Sequence, residues 1–267
     1  MSTTDIASRL RDTLWLVGRA VRRSRRANLS FMAGSVAYQA FMSLLPLLVS
    51  VALLATVLLG RGAARRAISL TDTVLPDPVQ GLLMPVITGE VSTTAVSLVS
   101  AAVLVWGAIG LFRTLETAFQ TIYGTQQQGS LRSKLTDALV AFGTVVVAAL
   151  VALGTTSTAV VTDIAGLSLL SSLLLPLALV VTFLPVYRLF PNRPLPVRRA
   201  VPGAVVAALG WSLLQWGFQW YVRAVASPDV PGVLGTVLVL LLWLYYGSYV
   251  VLFGAVVNVT VDERADA

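Results

Sequence analysis

Residues 233–258 read VLGTVLVLLLWLYYGSYVVLFGAVVN, and they lie within a longer stretch, 230–261, that contains no Asp, Glu, Lys or Arg. A transmembrane helix needs about 20 apolar residues to cross roughly 30 Å of hydrocarbon. The 32 charge-free residues of this stretch meet that requirement with length to spare. The stretch therefore predicts a membrane-spanning helix.

Five other stretches of at least 18 residues also lack these charges: 27–60, 91–112, 138–162, 164–187 and 200–222. The six stretches hold 160 of the 267 residues, and only 12% of the chain is charged, about half the content of an ordinary soluble domain. The predicted fold class is all-α, a polytopic membrane helical bundle whose transmembrane domain occupies 31–260. Six transmembrane helices are predicted, at roughly 34–59, 91–112, 138–161, 166–187, 200–222 and 233–258.

The basic residues are distributed unevenly among the segments that flank these spans. With the N-terminus in the cytoplasm, 15 of the 19 Lys and Arg residues fall on the cytoplasmic side. Cytoplasmic loops of membrane proteins carry an excess of Lys and Arg, so both termini are predicted to be cytoplasmic. The net charge of +7 then reflects orientation in the cell membrane, plasma or inner. The expected partners are membrane lipids, not nucleic acid.

The segment 1–30 is predicted to be a basic cytoplasmic segment with an amphipathic interfacial helix. Its apolar residues recur at spacings of three or four, on one face of a helix: Ile6, Leu10, Leu14, Val17 and Val21. Arginines crowd the remaining surface, so the helix is expected to lie on the membrane with its arginines on anionic lipid. An RNA-binding arm is the alternative interpretation. Residues 261–267 are predicted to be a short cytoplasmic tail.

The composition also restricts the chemistry. The chain has no His and no Cys, which removes the commonest metal ligands, thiolate nucleophiles and the usual general base near neutral pH. The P-loop, HExxH and GxSxG motifs are absent from the sequence. The 107 residues outside the charge-free stretches are divided among seven segments, too small for a soluble catalytic domain. We expect a protein that is not an enzyme and that has no catalytic residues, no cofactor and no metal.

The first predicted span combines polar residues with a proline. Tyr38, Gln39 and Ser43 precede Pro46, which lacks a backbone donor and is predicted to kink the helix. Polar groups beside a kink can form a binding position in the middle of the membrane. The alternative is that the kink only helps packing, with neighbouring helices satisfying the freed carbonyls.

The fifth and sixth spans carry further amides. Gln215 and Gln219 are four residues apart and share one helical face, and Asn258 closes the last span. An amide that faces lipid leaves polar groups unpaired, so these side chains are expected to point inward. Either they line a substrate path with the polar residues of the first span, or they hydrogen-bond between helices.

A third polar group follows the second span. Arg113, Glu116 and Gln120 are spaced three and four residues apart, so they lie along one face of the helix. Two interpretations are open for this stripe on a helix that leaves the membrane. It is a cytoplasmic gate or headgroup site, or it is a solvated surface.

Four segments together resemble the YihY/BrkB family of membrane proteins. They are FMAGSVAYQAFMSLLPLL (31–48), TTAVSLVSAAVLVWGAIGLFRTLETAFQTIYG (93–124), LPVYRLFPNRPLPVRRAVPGAVVAALGWSLLQWGFQWYV (184–222) and the span 233–258 quoted above. The segments include a tyrosine after the second span, a Pro-Gly-Ala start to the fifth helix and a closing Gly-Ala with a later Asn. Val257 departs from the pattern, because relatives commonly carry an acidic residue before that Asn.

The resemblance implies a six-span inner or plasma membrane protein, often described as transporter-like. Relatives were formerly labelled ribonuclease BN, but this sequence offers neither a histidine nor a carboxylate cluster for RNA hydrolysis. We therefore expect a protein that moves or presents a small molecule or a lipid without covalent catalysis. The alternative is a non-transporting scaffold for envelope assembly or for partner proteins.

Overall fold

A computed structural model describes residues 18–60, 93–125, 167–191, 195–225 and 233–265, together with 62, 84–85 and 88. Across these ranges the backbone is helical except for short turns and connections, and it contains no strand. The prediction of an all-α fold is therefore confirmed for the described residues.

Five long helices follow one another along the chain: α1 (Leu29–Leu59), α2 (Thr93–Tyr123), α3 (Leu167–Leu189), α4 (Val197–Val225) and α5 (Val233–Ala265). They correspond to five of the six predicted spans, and α2 and α5 continue beyond the predicted ends of theirs. The predicted span at 138–161 lies outside the described residues, as does most of the outer segment 60–90.

Three helical stretches are long and apolar enough to cross a membrane: Leu29–Val49, Val197–Tyr221 and Val237–Arg264. A shorter apolar stretch occupies Pro176–Leu189 in α3. Three of the predicted spans are thus confirmed as apolar helices of membrane-spanning length, while the count of six spans stays a prediction. The predicted amphipathic helix also stays a prediction, since residues 1–17 lie outside the described part and only Val21 of its apolar face is described.

The ends of α1 and α2 follow from local backbone chemistry. A helical segment at 18–26 ends at Ala27 and Asn28, and Asn28 adopts a left-handed φ of 51°, which Asn tolerates better than most residues. Its carbonyl then accepts hydrogen bonds from the first turn of α1. At the end of α2, Gly124 has a φ of 68°, and the Thr125 N–H bonds the Gln120 carbonyl at 3.0 Å. This is the Schellman arrangement that stops a helix.

The chain divides into two compact units. Unit 1 holds the described residues of Met1–Ala33, Leu115–Trp220 and Tyr246–Ala267, and unit 2 holds those of Gly34–Thr114 and Tyr221–Tyr245. Within unit 2, α1 and α2 are antiparallel neighbours: a side chain on Gly107 would meet Ser43, and one on Gly110 would meet Gln39. Small residues therefore allow these two helices to approach closely.

Unit 1 contains a second antiparallel pair. Along α4 and α5, Gly203 lies against Gly254 and Gly210 against Val250, while Gly247 lies against Trp211. The Trp211 ring also contacts Phe183 of α3 edge to face, with ring centroids 5.8 Å apart. The largest fully buried side chains of the described chain all belong to this unit: Leu29, Phe119, Tyr187, Leu252, Val256, Asn258 and Thr260, with Pro191.

Candidate functional site

Asn258 joins α5 to the start of α4 through its side-chain amide. Its Oδ1 accepts a hydrogen bond from the Gly203 N–H at 2.5 Å, and its Nδ2 donates to the Ala200 carbonyl at 3.3 Å. The side chain is 1% exposed, so both hydrogen bonds are made away from solvent. A side chain on Gly203 would meet the Gly254 carbonyl and the Asn258 amide, which explains why this position needs glycine.

Tyr187 of α3 meets α5 one to two turns before Asn258. Its hydroxyl donates to the Val251 carbonyl at 2.6 Å, and a Cβ on Gly254 would collide with that hydroxyl. The tyrosine ring is fully buried beside Phe119, with centroids 5.7 Å apart. Phe119 also packs on Phe190 at 5.5 Å. We call the group formed by Tyr187, Gly203, Gly254 and Asn258 the polar knot.

Tyr123, at the end of α2, lies next to this group. Its ring stacks on Phe119, with centroids 6.3 Å apart. Its hydroxyl oxygen is buried and has no hydrogen-bond partner among the described residues. Burial raises the pKa of Tyr123 to about 12, against a smaller lowering effect of the Asn258 amide, and the negative charge of Asp262 raises it further. The phenol is therefore neutral at physiological pH.

Three ion pairs surround the same end of unit 1. Glu263, near the end of α5, pairs with Arg19 at 3.3 Å and with Arg23. Asp262 pairs with Arg199 of α4 at 3.4 Å. Arg23 also donates to the Ile122 carbonyl of α2 at 3.5 Å. We call these pairs the ionic clasp, because they connect the segment 18–26 with α2, α4 and α5.

The predicted gate residues are divided between the two units: Glu116 and Gln120 belong to unit 1, and Arg113 belongs to unit 2. Gln120 donates from Nε2 to Glu116 Oε1 at 2.9 Å, a hydrogen bond between side chains one turn apart in unit 1. Arg113 is exposed and belongs to unit 2. A half-open cavity of about 330 Å³ lies along the same stretch of α2, lined by Thr117, Gln120, Thr121 and Gly124.

The predicted substrate-path residues are divided between the units. Tyr38, Gln39, Ser43 and Pro46 belong to unit 2. Tyr38 is exposed, and α1 continues as a helix through Pro46. The Ser43 hydroxyl donates to the Ala40 carbonyl of its own helix at 2.9 Å.

The other three path residues belong to unit 1. Gln215 is half-buried, Gln219 is exposed and Asn258 is buried in the polar knot. Only Asn258 among them has a described hydrogen bond to another helix. The shared path of all seven residues stays a prediction.

Sequence reasoning did not select Tyr123, Tyr187 or the acidic partners in the clasp. One signal was available: Asp262 and Glu263 directly follow the last charge-free stretch, on the side where the basic residues were predicted to gather. Opposite charges at one membrane surface are natural pairing partners. The tyrosines carried no such signal, because a buried tyrosine in a helix reads like any apolar residue until its neighbours are known.

The chemistry available to this site is hydrogen bonding and charge pairing. Among the described residues, no three His, Cys, Asp or Glu side chains gather in a way that could hold a metal ion. Asp262 and Glu263 are engaged by arginines. The arrangement is therefore suited to holding helices together and to binding polar groups at its surface.

Comparison with known proteins gives one family over most of the chain. The family model described as virulence factor BrkB matches residues 20–267. A UPF0761 membrane protein of Psychromonas ingrahamii is 27% identical over 257 residues, covering 91% of this chain and 86% of the relative. No solved structure matches.

Two other relatives are covered less completely. A UPF0761 membrane protein of Nitrosospira multiformis is 26% identical over 247 residues, which cover 88% of this chain and 58% of that protein. The ribonuclease-like protein YfkH of Bacillus subtilis is 32% identical over 90 residues, a third of each chain. The chain thus spans between about a third and three fifths of the length of these two relatives.

Proposed function

Because the chain belongs to the BrkB family of membrane proteins, we propose that it moves or presents a small molecule or a lipid across or within the membrane, without covalent catalysis. The cavity along α2 is the observation that carries this proposal. Its volume of about 330 Å³ is at the lower end of the range for small-molecule sites, roughly 300–1,000 Å³. Two threonines and a glutamine line it. The Thr121 hydroxyl donates to the Thr117 carbonyl and the Gln120 Nε2 donates to Glu116, so the Thr121 Oγ1 and Gln120 Oε1 atoms are offered as acceptors to a polar ligand.

The net charge of unit 1 as a whole favours an anionic ligand. The described residues of unit 1 include nine arginines and three acidic residues, Glu116, Asp262 and Glu263. Such an excess of positive charge attracts anions. The chemistry favoured is therefore an anionic or polar group, carried either by a lipid headgroup or by a free small molecule.

The same arginines support the proposed orientation. Cytoplasmic surfaces of membrane proteins are rich in Arg and Lys, so we assign the end of unit 1 that holds the ionic clasp to the cytoplasmic side of the cell membrane. Both the segment before α1 and the end of α5 belong to this unit and touch through Glu263. The termini are therefore proposed to be cytoplasmic.

Parity supports the count of six spans. If the chain starts and ends on one side, it crosses the membrane an even number of times. Five long helices are described, so one more crossing is required. The tyrosines that end α2 and α3 both contact Phe119, which means that the chain must return to the opposite side between them. The predicted span at 138–161 supplies that crossing.

The proposal is tested with purified protein in liposomes. Two readouts distinguish the ligand sources: flipping of a fluorescent phosphatidylglycerol, measured by quenching with an impermeant reagent, and uptake of small organic anions. The Thr117→Val/Gln120→Leu variant removes polar groups from the cavity and is expected to reduce the active readout by about tenfold or more, as loss of one or two polar ligand contacts would.

Thr114→Val is the matched control on the same helix, because among the described residues the Thr114 hydroxyl bonds only the Gly110 carbonyl one turn earlier, at 2.8 Å. Gln215→Ala/Gln219→Ala tests the path hypothesis separately. The proposal would be overturned if the wild-type protein showed no lipid flipping and no anion uptake. Equal activity of the cavity variant and its control would show that the polar groups of the cavity do not bind the ligand.

A scaffold function is the second candidate, and the polar knot favours it. The Asn258 amide is buried and hydrogen-bonds to backbone groups of α4, as expected of a rigid helix-packing element. A protein that holds partners together needs such rigidity and no substrate path. Recovery of a defined partner complex from membranes, combined with the absence of flux, would support this candidate.

We further propose that the chain does not cleave RNA. The name of YfkH concerns a relative that shares a third of this chain. The absence of His and Cys from the sequence leaves RNA hydrolysis without its usual base. Incubation of the purified protein with labelled RNA, with and without divalent cations, tests this point, and cleavage that follows the protein through purification would contradict it.

A further inference from the structure

The arginines of the helical segment 18–26 fall into two groups. Arg19 and Arg23 are bound in the ionic clasp through Glu263. Arg22, Arg25 and Arg26 are exposed and make no ion pair within the described part of the chain. Two positive charges of the segment are therefore paired within the protein, and three are exposed on its surface.

Helical geometry places the three arginines outside the clasp on one face of the segment, next to Arg19 and Arg23. Successive residues of an α-helix are about 100° apart around its axis, so Arg22, Arg25 and Arg26 fall within an arc of about 100°. Ala20 and Ser24, which are 2% and 3% exposed, lie on the opposite side of the same helix. The segment thus packs on the protein through Ala20 and Ser24 and directs the three arginines away from it.

The position of the three arginines along the chain places them at headgroup depth. The first candidate membrane span begins at Leu29, three residues after Arg26. The left-handed Asn28 ends the segment before α1 begins, so the segment is not a straight extension of the spanning helix. Phe31, in the first turn of α1, is 77% exposed, as expected of an aromatic side chain in the interfacial layer.

From this arrangement we infer that Arg22, Arg25 and Arg26 form a binding surface for the phosphate groups of anionic phospholipids in the adjacent leaflet. Guanidinium groups bind phosphate oxygens through paired hydrogen bonds. Lipid is favoured over RNA because the surface directly precedes a membrane span and carries an exposed aromatic residue next to it. The inference does not depend on the transport proposal, because the surface and the cavity along α2 share no residue.

The test uses the full-length protein in membranes of phosphatidylcholine and phosphatidylglycerol. Electron spin resonance of spin-labelled lipids measures the association constant of each lipid with the protein. A basic residue near an anionic surface contributes about fivefold in affinity. The Arg22→Gln/Arg25→Gln/Arg26→Gln variant is therefore expected to lose most of the preference for phosphatidylglycerol, by about tenfold or more.

The control variant Arg188→Gln/Arg198→Gln/Arg264→Gln removes the same charge from other exposed positions of unit 1 and is expected to retain most of the preference. Equal losses in the two variants would overturn the inference, because the preference would then come from the overall charge. The melting temperature of each variant in detergent shows whether the fold is retained.

A single-stranded RNA oligonucleotide provides the competing arm. If the three substitutions abolish RNA binding at physiological salt and leave the lipid preference unchanged, the surface binds nucleic acid and the inference is wrong. Unchanged lipid flipping or uptake by this variant would leave the transport proposal intact, so the two proposals fail independently.

Discussion

At the scale of single residues, the stability of the described structure depends on whether each buried polar group has a hydrogen-bond partner. Asn258 satisfies both ends of its amide with backbone groups of another helix. Tyr123, a short distance away, buries a hydroxyl without a described partner. Removing one partner of a buried hydrogen bond costs more than removing a polar group that has none. The two residues should therefore respond to substitution in opposite ways.

Asn258→Leu is expected to destabilise the protein by about 1–3 kcal/mol, because it leaves the buried Gly203 N–H without its acceptor. Thermal unfolding in detergent measures the effect. Thr260→Val is the matched control, since within the described part of the chain the equally buried Thr260 hydroxyl bonds only the Val256 carbonyl of its own helix, at 2.8 Å. A larger loss in the Thr260 variant would contradict the role assigned to Asn258.

Tyr123→Phe is expected to be neutral or to stabilise the protein by about 1 kcal/mol, because it removes an unsatisfied buried hydroxyl. The raised pKa of Tyr123, about 12, adds a dependence on pH. Above pH 10 the unfolded tyrosine loses its proton before the folded one, so wild-type stability falls between about pH 10 and pH 12. The phenylalanine variant should show a smaller fall, measured by unfolding at each pH. A variant clearly less stable than the wild type at neutral pH would show that the hydroxyl has a partner.

At the scale of helices, close pairing depends on glycines at particular positions. Gly203 and Gly254 face each other between α4 and α5, and Gly107 and Gly110 face α1. Dispersion and small-residue packing drive helix association in lipid, where the hydrophobic effect is absent. Helix propensity alone would prefer alanine at each of these positions. The glycines therefore indicate contact rather than flexibility.

Gly203→Ala is expected to destabilise the protein by about 1–3 kcal/mol, because the added methyl group overpacks the α4–α5 contact. Gly217→Ala in the same helix has open space around its Cβ position and should be neutral or stabilising by up to about 1 kcal/mol. Unfolding in detergent compares the two. Equal effects would show that propensity, and not packing, decides the stability of α4.

At the scale of the whole molecule, the ionic clasp joins distant parts of the sequence. It holds the segment before α1 against the end of α5 and the start of α4 against the same end. Exposed ion pairs contribute little to stability, about 0–1 kcal/mol each. Their value here is topological, since they hold the segment before α1 and the end of α5 together, as the proposed even number of spans requires.

Cysteine labelling tests that topology on a background free of native cysteine. With an impermeant maleimide, Arg25→Cys and Arg264→Cys should react in inside-out vesicles and not in intact cells. Thr73→Cys, in the predicted outer segment 60–90, should react in intact cells. Reaction of either arginine position from outside would contradict the proposed orientation, and reaction of the two on opposite sides would contradict the even number of spans.

The sequence alone determined the fold class and the approximate positions of the five described helices, because lipid leaves no partner for a backbone polar group except within a helix. A charge-free stretch of sufficient length therefore predicts a helix directly, as residues 233–258 show. The sequence also predicts which side of the membrane carries the arginines, and the labelling experiment tests that prediction. These are properties of each segment by itself, and they do not require knowledge of its neighbours.

Only the tertiary structure decided which polar residues meet. Asn258 was selected from the sequence as a polar residue in a span, with helix contact and substrate path both open, and the structure shows that its amide binds α4. The contacts of Tyr187, the arginine partners of Glu263 and the sorting of the N-terminal arginines could not be inferred in advance. Their roles depend on contacts between residues as much as 244 positions apart, and such contacts arise from the packing of helices rather than from local sequence.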